Sequence, residues 1–240
     1  MARAGTGLAA ADGLCRACVD LLGVDGAAIS LVHRGQSRGT FGSSGELSRR
    51  LDAYQFTYGE GPCLDAVSLS APVLAPDLDR SGEYRWPAFT ASMAQAGVRA
   101  VFALPVTVTA STVGALDLFR HTAGALGVDA FEGALAAARL AALPLLDLIE
   151  QLAERAAAGI EEADQRDPWE ELASLDRTEI YQATGVLMAQ GDLDSAQALV
   201  RLRARAYTEG QTASDVAWDV LEGRLRLHLD GTWQDQEEGQ

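Results

Sequence analysis

Apolar residues recur at helical spacing through roughly the first 20 positions, with Leu8, Cys15, Val19 and Leu22 on one side. The chain therefore opens on a helix that sets Cys15 and Cys18 one turn apart. The period then drops to two. "GAAISLVHR" alternates and is rich in β-branched residues, and "SRGTFGSSG" ends a second such run in a Ser/Gly turn, which predicts a hairpin. A polar segment leads to "YGEGPCLDAV", where Gly59 to Pro62 turn the chain and Pro62 suits the first turn of a short helix. "APVLAPDL" reads as a third strand and "YRWPAFTASMAQAG" as a helix with Pro87 near its start and Gly97 past its end. "VRAVFALPVTVTASTVGALDLFR" gives two strands around "TAST", and from Val128 a long Ala/Leu-rich helix runs toward Arg155, bent at Pro144. The order α-β-β-α-β-α-β-β-α predicts an α+β domain over residues 8–150, with an antiparallel sheet and helices on its faces.

Residues 151–168 form a helical and acidic linker that ends in "GIEEADQRDP". From Trp169 the period is helical again. A first helix places Trp169, Leu172, Ile180, Ala183 and Leu187 on one face and stops at Gly191, with Asp192 or Asp194 able to cap the next helix. A second covers about Leu193 to Tyr207. A third starts at the capping-box-like "TASD" and buries Ala213, Val216, Ala217, Val220 and Leu221. Residues 169–228 thus predict a three-helix bundle, and 229–240 an acidic, disordered tail.

The 240 residues are 48% hydrophobic and 22% charged, enough for one sizeable core and a smaller second one. Net charge is −15, all 19 basic residues are arginines, and the acidity is spread along the chain, so no segment is a basic nucleic-acid footprint in bulk. Anion binding must be local. The most apolar stretch is interrupted by Arg139, Pro144 and Asp147, and the N-terminus lacks the apolar core of a signal peptide; a cytoplasmic protein without a membrane span is expected. Three cysteines, Cys15, Cys18 and Cys63, make no disulfide framework, and no second cysteine pair or nearby histidine completes a metal site. His33, His121 and His228 are scattered, with no nucleophile–base spacing. No enzyme and no cofactor are expected; a thiol-dependent reductase, using a Cys63 activated at its helix start, ranks below the other readings.

"GEGPCLDAV", "APVLAPDL", "RWPAF", "AGVRAVFALPV" and "VGALDLF", in this order, resemble the GAF sensor domain of bacterial GAF–ANTAR regulators. The resemblance implies a small-molecule pocket or a dimerisation module; no cyclic-nucleotide or bilin pattern is present, so the ligand and its pocket residues stay unassigned. "EIYQATGVLMAQGDLDSAQALVRLRARA…DVAWDVL" is similar to the ANTAR domain through Ala183, Gly185, Leu187 and Met188, then Ala198, Leu202 and Arg203, then Asp215, Val216 and Ala217. ANTAR domains bind paired hexanucleotide RNA hairpin loops as dimers and suppress transcription termination, and the resemblance implies that role here. Thr184, Gln190 and the "GQT" segment at Gln211 and Thr212 stand where the family is usually basic.

Sorted by helical angle, Arg201 and Arg205 share a polar face with Asp194, Gln197 and Ala198, and are candidate phosphate contacts. Arg203 points into an apolar arc of Leu193, Ala196, Leu199, Val200, Leu202 and Tyr207, so it needs an acceptor, and Asp215 is the candidate for a structural ion pair. Trp218 lies off the apolar stripe and can stack on a splayed base; Ala183 and Gly185 complete the candidate RNA set. Leu135, Leu145, Leu148, Ile149 and Leu152 outline an apolar edge through which the 128–155 helix would form a homodimer, with signals at the GAF domain changing its packing. The alternative is a signalling module whose degenerate ANTAR bundle binds a protein partner instead of RNA.

Overall fold

This computed structural model describes residues 2–33, 35–79, 84–147 and 177–235, in two compact units, Met1–Ala173 and Ser174–Gln240. In the first, helix α1 (Ala2–Leu22) precedes a hairpin of β1 (Gly26–His33) and β2 (Gln36–Ser43). Next along the chain are α2 (Glu46–Tyr58), α3 (Pro62–Leu69), β3 (Val73–Ala75), α4 (Pro87–Gln95), β4 (Ala100–Val108), β5 (Ser111–Arg120) and α5 (Val128–Leu140). The strands make one sheet in the order β2-β1-β5-β4-β3, antiparallel throughout. Successive side chains on a strand point to opposite faces. Leu116 and Leu118 of β5 accordingly join a core with α1 and α5, while Ala115 and Phe119 join a second with α2, α3 and α4.

The polar segment between β2 and the "GEGP" turn is a helix, α2, which the element order from sequence lacks. Its buried residues are Ser48, Asp52, Gln55 and Thr57 beside Leu51 and Tyr54, so polar groups share its core face with a short apolar stripe. The Ala/Leu-rich helix breaks at Ala141 and resumes over 142–147. Pro144 explains the break, because it has no N–H for the carbonyl of Leu140. Leu145 is fully buried in the core beneath α1, and Leu135 packs against that core, so neither is available to a partner helix. Leu140 and Leu143, 52% and 58% exposed, lie on the outer side. Leu148, Ile149, Leu152, Trp169, Leu172 and the 151–168 linker lie outside the described residues.

The second unit holds α6 (Thr178–Gly191), α7 (Ser195–Glu209) and α8 (Ala213–Leu221). Asp194 caps α7 and Thr212 caps α8, each in a reciprocal capping box, with Gln197 and Asp215 as the partners. Ile180, Ala183 and Leu187, then Ala198, Leu202 and Ala206, then Ala213, Val216, Ala217 and Val220 form the buried stripes. On α7 the sequence places Ala198 on the polar face and Val200 and Tyr207 in the apolar arc. In the structure Ala198 is buried and those two are exposed, because three short helices close on small residues. Residues 225–235, expected in part as a disordered tail, make a hairpin of β6 (Leu225–Leu227) and β7 (Trp233–Asp235). Among the described residues no helix is long and apolar enough to cross a membrane.

Candidate functional site

Two places concentrate polar chemistry, one inside the first unit and one on the surface of the second. Inside, α2 lays Asp52 and Gln55 against the sheet. Asp52 accepts from Ser37 Oγ at 2.9 Å and Thr40 Oγ1 at 2.8 Å, both on β2. Asp117, projecting from β5 at 1% exposure, accepts at Oδ2 from Gln55 Nε2 at 2.9 Å and Ser30 Oγ at 3.2 Å. Its Oδ1 is buried with no hydrogen-bond partner among the described residues. Burial, aided by the charge of Asp52 and opposed by the bonds from Gln55, Ser30 and the Cys63 thiol, pushes the Asp117 carboxyl up to about 8. It is therefore protonated at neutral pH.

The same helix and the turn after it join two of the sequence motifs. Gln55 Oε1 accepts from the Cys63 N–H at 2.8 Å, and Gly61 at φ 144 makes room, since a Cβ there would lie 2.3 Å from that oxygen. Glu60 Oε1 accepts from the N–H groups of Ala88 and Phe89 at 2.7 and 3.1 Å, closing the first turn of α4. Asp65 accepts from Trp86 Nε1 at 3.0 Å. "GEGPCLD" and "RWPAF" are thus two halves of one hydrogen-bonded joint.

The thiols do not support nucleophilic chemistry. Burial pushes Cys15 up to about 12, Cys18 up to about 11 and Cys63 well above its ordinary value, which corrects the expectation that its helix start activates Cys63. Among the described residues no cluster of three His, Cys, Asp or Glu could hold a metal. His121 and His228 hydrogen bond to Gly97 O and Gln234 Oε1, away from any thiol.

In the second unit the candidate RNA residues separate. Ala183 is fully buried, so its methyl group packs the bundle and cannot touch RNA. Gly185 is exposed in mid-helix, and among the described residues nothing lies within 4 Å of where its Cβ would be, which removes tight helix packing as its reason. One helical turn before it stands Tyr181, 49% exposed, and almost one turn after it the exposed Met188. Sequence patterning does not pick out this strip, although Ile180 to Gly191 contains no charged residue. Trp218 is 51% exposed on α8, one turn beyond Ser214, whose Oγ donates to Glu179 of α6 at 2.8 Å.

Arg201 is exposed, whereas Arg205 is engaged with Glu209 at 2.5 Å and Asp235 at 3.0 Å. Arg203 is half-buried, and burial with the neighbouring Arg177 charge lowers its pKa. Asp215, its expected partner, accepts from the Thr212 N–H at 3.0 Å in the capping box. Three of the neutral positions have a structural task, while Gln211 buries its Oε1 with no hydrogen-bond partner among the described residues. Thr184 bonds back to Ile180 O at 2.7 Å, Gln190 accepts from the Leu227 N–H at 3.0 Å, and Thr212 caps α8.

Comparison with known proteins matches residues 9–143 to the GAF domain and residues 171–221 to the ANTAR domain. No curated protein matches the chain. Among solved structures, a type II free methionine-R-sulfoxide reductase from Thermoplasma acidophilum is 15% identical, covering 60% of this chain and 94% of its own, with a TM-score of 0.46. A GAF domain/HD domain protein from Geobacter sulfurreducens is 15% identical over 55% and 87%, TM-score 0.42. The GAF domain of an Acinetobacter phosphoenolpyruvate-protein phosphotransferase is 11% identical over 64% and 86%, TM-score 0.45. The assignment rests on the two domain matches and not on these distant likenesses. The sheet with its helices and the capped helical region fall within those two spans, and the chain belongs to the GAF domain family, joined to an ANTAR domain in the architecture of a signal-transduction and transcription regulator.

Proposed function

We propose that this chain is a cytoplasmic regulator that binds paired hexaloop RNA hairpins as a dimer through its ANTAR domain and suppresses transcription termination, gated by the GAF domain. The observation that carries this reading is Gly185. A glycine in an exposed helix interior costs about 1 kcal/mol relative to alanine. Here that cost has no packing reason, since nothing described stands over it. An uncharged strip of Tyr181, Gly185 and Met188 suits a flat base pressed against helix backbone, and Trp218 offers a stacking face. Arg201 supplies a phosphate contact, while Arg203 with Asp215 serves the bundle.

A paired target rewards a dimer, because linked sites gain avidity only when both engage together. The exposed Leu140 and Leu143 are the edge for that contact in this reading, with Leu145 committed to its own core. A small molecule of the GAF domain would act by shifting this helix.

The test is fluorescence binding of a paired-hexaloop RNA and a single-hairpin control at several salt concentrations. Gly185→Ala should stabilise the fold by about 1 kcal/mol in denaturant titration and yet weaken RNA binding. Trp218→Ala should cost roughly tenfold, the size of one lost base stack. Arg201→Ala should flatten the salt slope by about 0.7. If the folded dimer binds both RNAs alike, or Gly185→Ala stabilises without loss of binding, the RNA reading fails. The protein-partner alternative, favoured by the neutralised Arg205, then takes its place.

A further inference from the structure

Beyond α8 the chain forms the β6–β7 hairpin, outside the ANTAR match that ends at residue 221. Its two strands are held differently. β6 is anchored: Leu225 and Leu227 are buried, the Leu227 N–H bonds to Gln190, and Leu227 Cδ2 lies 3.0 Å from where a Cβ on Gly191 would be. β7 is half-buried at Trp233 and exposed at Gln234 and Asp235, and Asp235 pairs with Arg205 of α7 at 3.0 Å. The turn between the strands lies on Arg201, whose Nη2 would be 3.1 Å from a Cβ on Gly231. Both α7 arginines marked for phosphate are thus met by one side of this hairpin.

We propose that the turn at Gly231 and β7 together form a strap that overlies Arg201 and, through Asp235, pairs with Arg205 in the free protein, and that the phosphates of a bound RNA displace it. The proposal rests on the reading of these arginines as RNA contacts. A carboxylate and a phosphate offer a guanidinium the same kind of charge-assisted acceptor, so the two compete for one donor. The strap competes from within the chain, at an effective concentration on the order of millimolar. Because the Asp235 side of the pair is largely exposed, it holds weakly and yields to a ligand that engages several sites at once. Lone anions and single weak contacts do not open it. β6 stays in place when β7 leaves, since its leucines belong to the bundle core.

The experiment compares full-length wild type, Asp235→Asn, Arg205→Ala and the double variant. The probes are fluorescein-labelled paired-hexaloop RNA, a single-hairpin control and retention on heparin, with amide exchange of the β7 ladder as an independent readout. Asp235→Asn should bind the paired RNA about 3- to 10-fold more tightly near 0.1 M salt, with a slope steeper by about 0.7. The double variant should lose that gain and match Arg205→Ala. The β7 amides should exchange faster in Asp235→Asn than in wild type while the Leu227 amide does not change. If no variant prefers the paired RNA but Asp235→Asn still binds heparin more tightly through Arg205, the strap stands and the RNA reading falls. Equal binding of both probes by Asp235→Asn and wild type, with unchanged β7 exchange, overturns the strap.

Discussion

Asp117→Asn raises the stability of the GAF domain, and the gain grows with pH. In the fold the carboxyl titrates at about 8, against 3.8 as its ordinary value, so folding favours its protonated form. Such a group stabilises fully below about pH 4, and the contribution is lost as pH rises through 8. Raising a pKa by one pH unit corresponds to about 1.4 kcal/mol. Relaxation and water entry around a buried carboxylate trim the full penalty to the order of 3–5 kcal/mol. Asparagine carries no charge to desolvate. Its amide oxygen can take the Oδ2 place and keep the bonds from Gln55 and Ser30, with the amide nitrogen at the Oδ1 place beside the Cys63 thiol. Thermal unfolding at pH 4, 6 and 8 should show near-equal midpoints at pH 4. At pH 8 the variant should unfold roughly 10 °C higher, on a scale of about 2–4 °C per kcal/mol for a chain of this size. Parallel curves for the two proteins across that range would mean that Asp117 is ionised in the fold.

The element that holds this network is the one missing from the element order read from the sequence. α2 carries Leu47, Leu51, Tyr54 and Tyr58 at helical spacing, but Ser48, Asp52, Gln55 and Thr57 are buried beside them, so the segment as a whole reads as polar. Two signals were available: that apolar spacing, and the carboxyl or amide groups of Asp52, Gln55 and Glu60 ahead of a Gly-Pro turn that leaves N–H groups to be satisfied. Elsewhere local rules sufficed. Pro62 and Pro87 begin helices, and the capping boxes at Asp194 and Thr212 begin two more. Helical angle alone misplaced the α7 stripe, because an alanine reads as neither core nor surface until the distance between helices is known. It also could not reveal that Arg205 meets Asp235, 30 positions away, across a hairpin too short and polar to stand out. Gly185 was visible as a glycine, but the open space above it is a property of the assembled surface.

Gly114→Ala should abolish or nearly abolish folding of the GAF domain. Gly114 sits in the "VGALDLF" motif on β5, opposite Leu31 of β1 and Val106 of β4, in the middle of the sheet. A Cβ at this position would lie 2.1 Å from the carbonyl oxygen of Ser30 and 3.2 Å from its carbonyl carbon. Those are backbone atoms of the neighbouring strand, so no rotamer change relieves the clash. β1 or β5 must shift, and each is packed on both faces, by α1 and α5 on one side and by α2 and α3 on the other. Overpacking that side chains can absorb costs about 1–3 kcal/mol. A forced backbone displacement in a central strand belongs beyond that range, at roughly 4 kcal/mol or more, comparable to the whole stability of many domains. The shift also moves Ser30, which donates to Asp117, so the buried network loosens with the strand. Urea unfolding followed by tryptophan fluorescence should place the midpoint of Gly114→Ala far below wild type, or show no folded baseline. Gly185→Ala, with open space above it, serves as the contrast and should unfold later than wild type. A folded Gly114→Ala domain with an unchanged midpoint would mean that β1 and β5 are less closely apposed than the 2.1 Å separation requires.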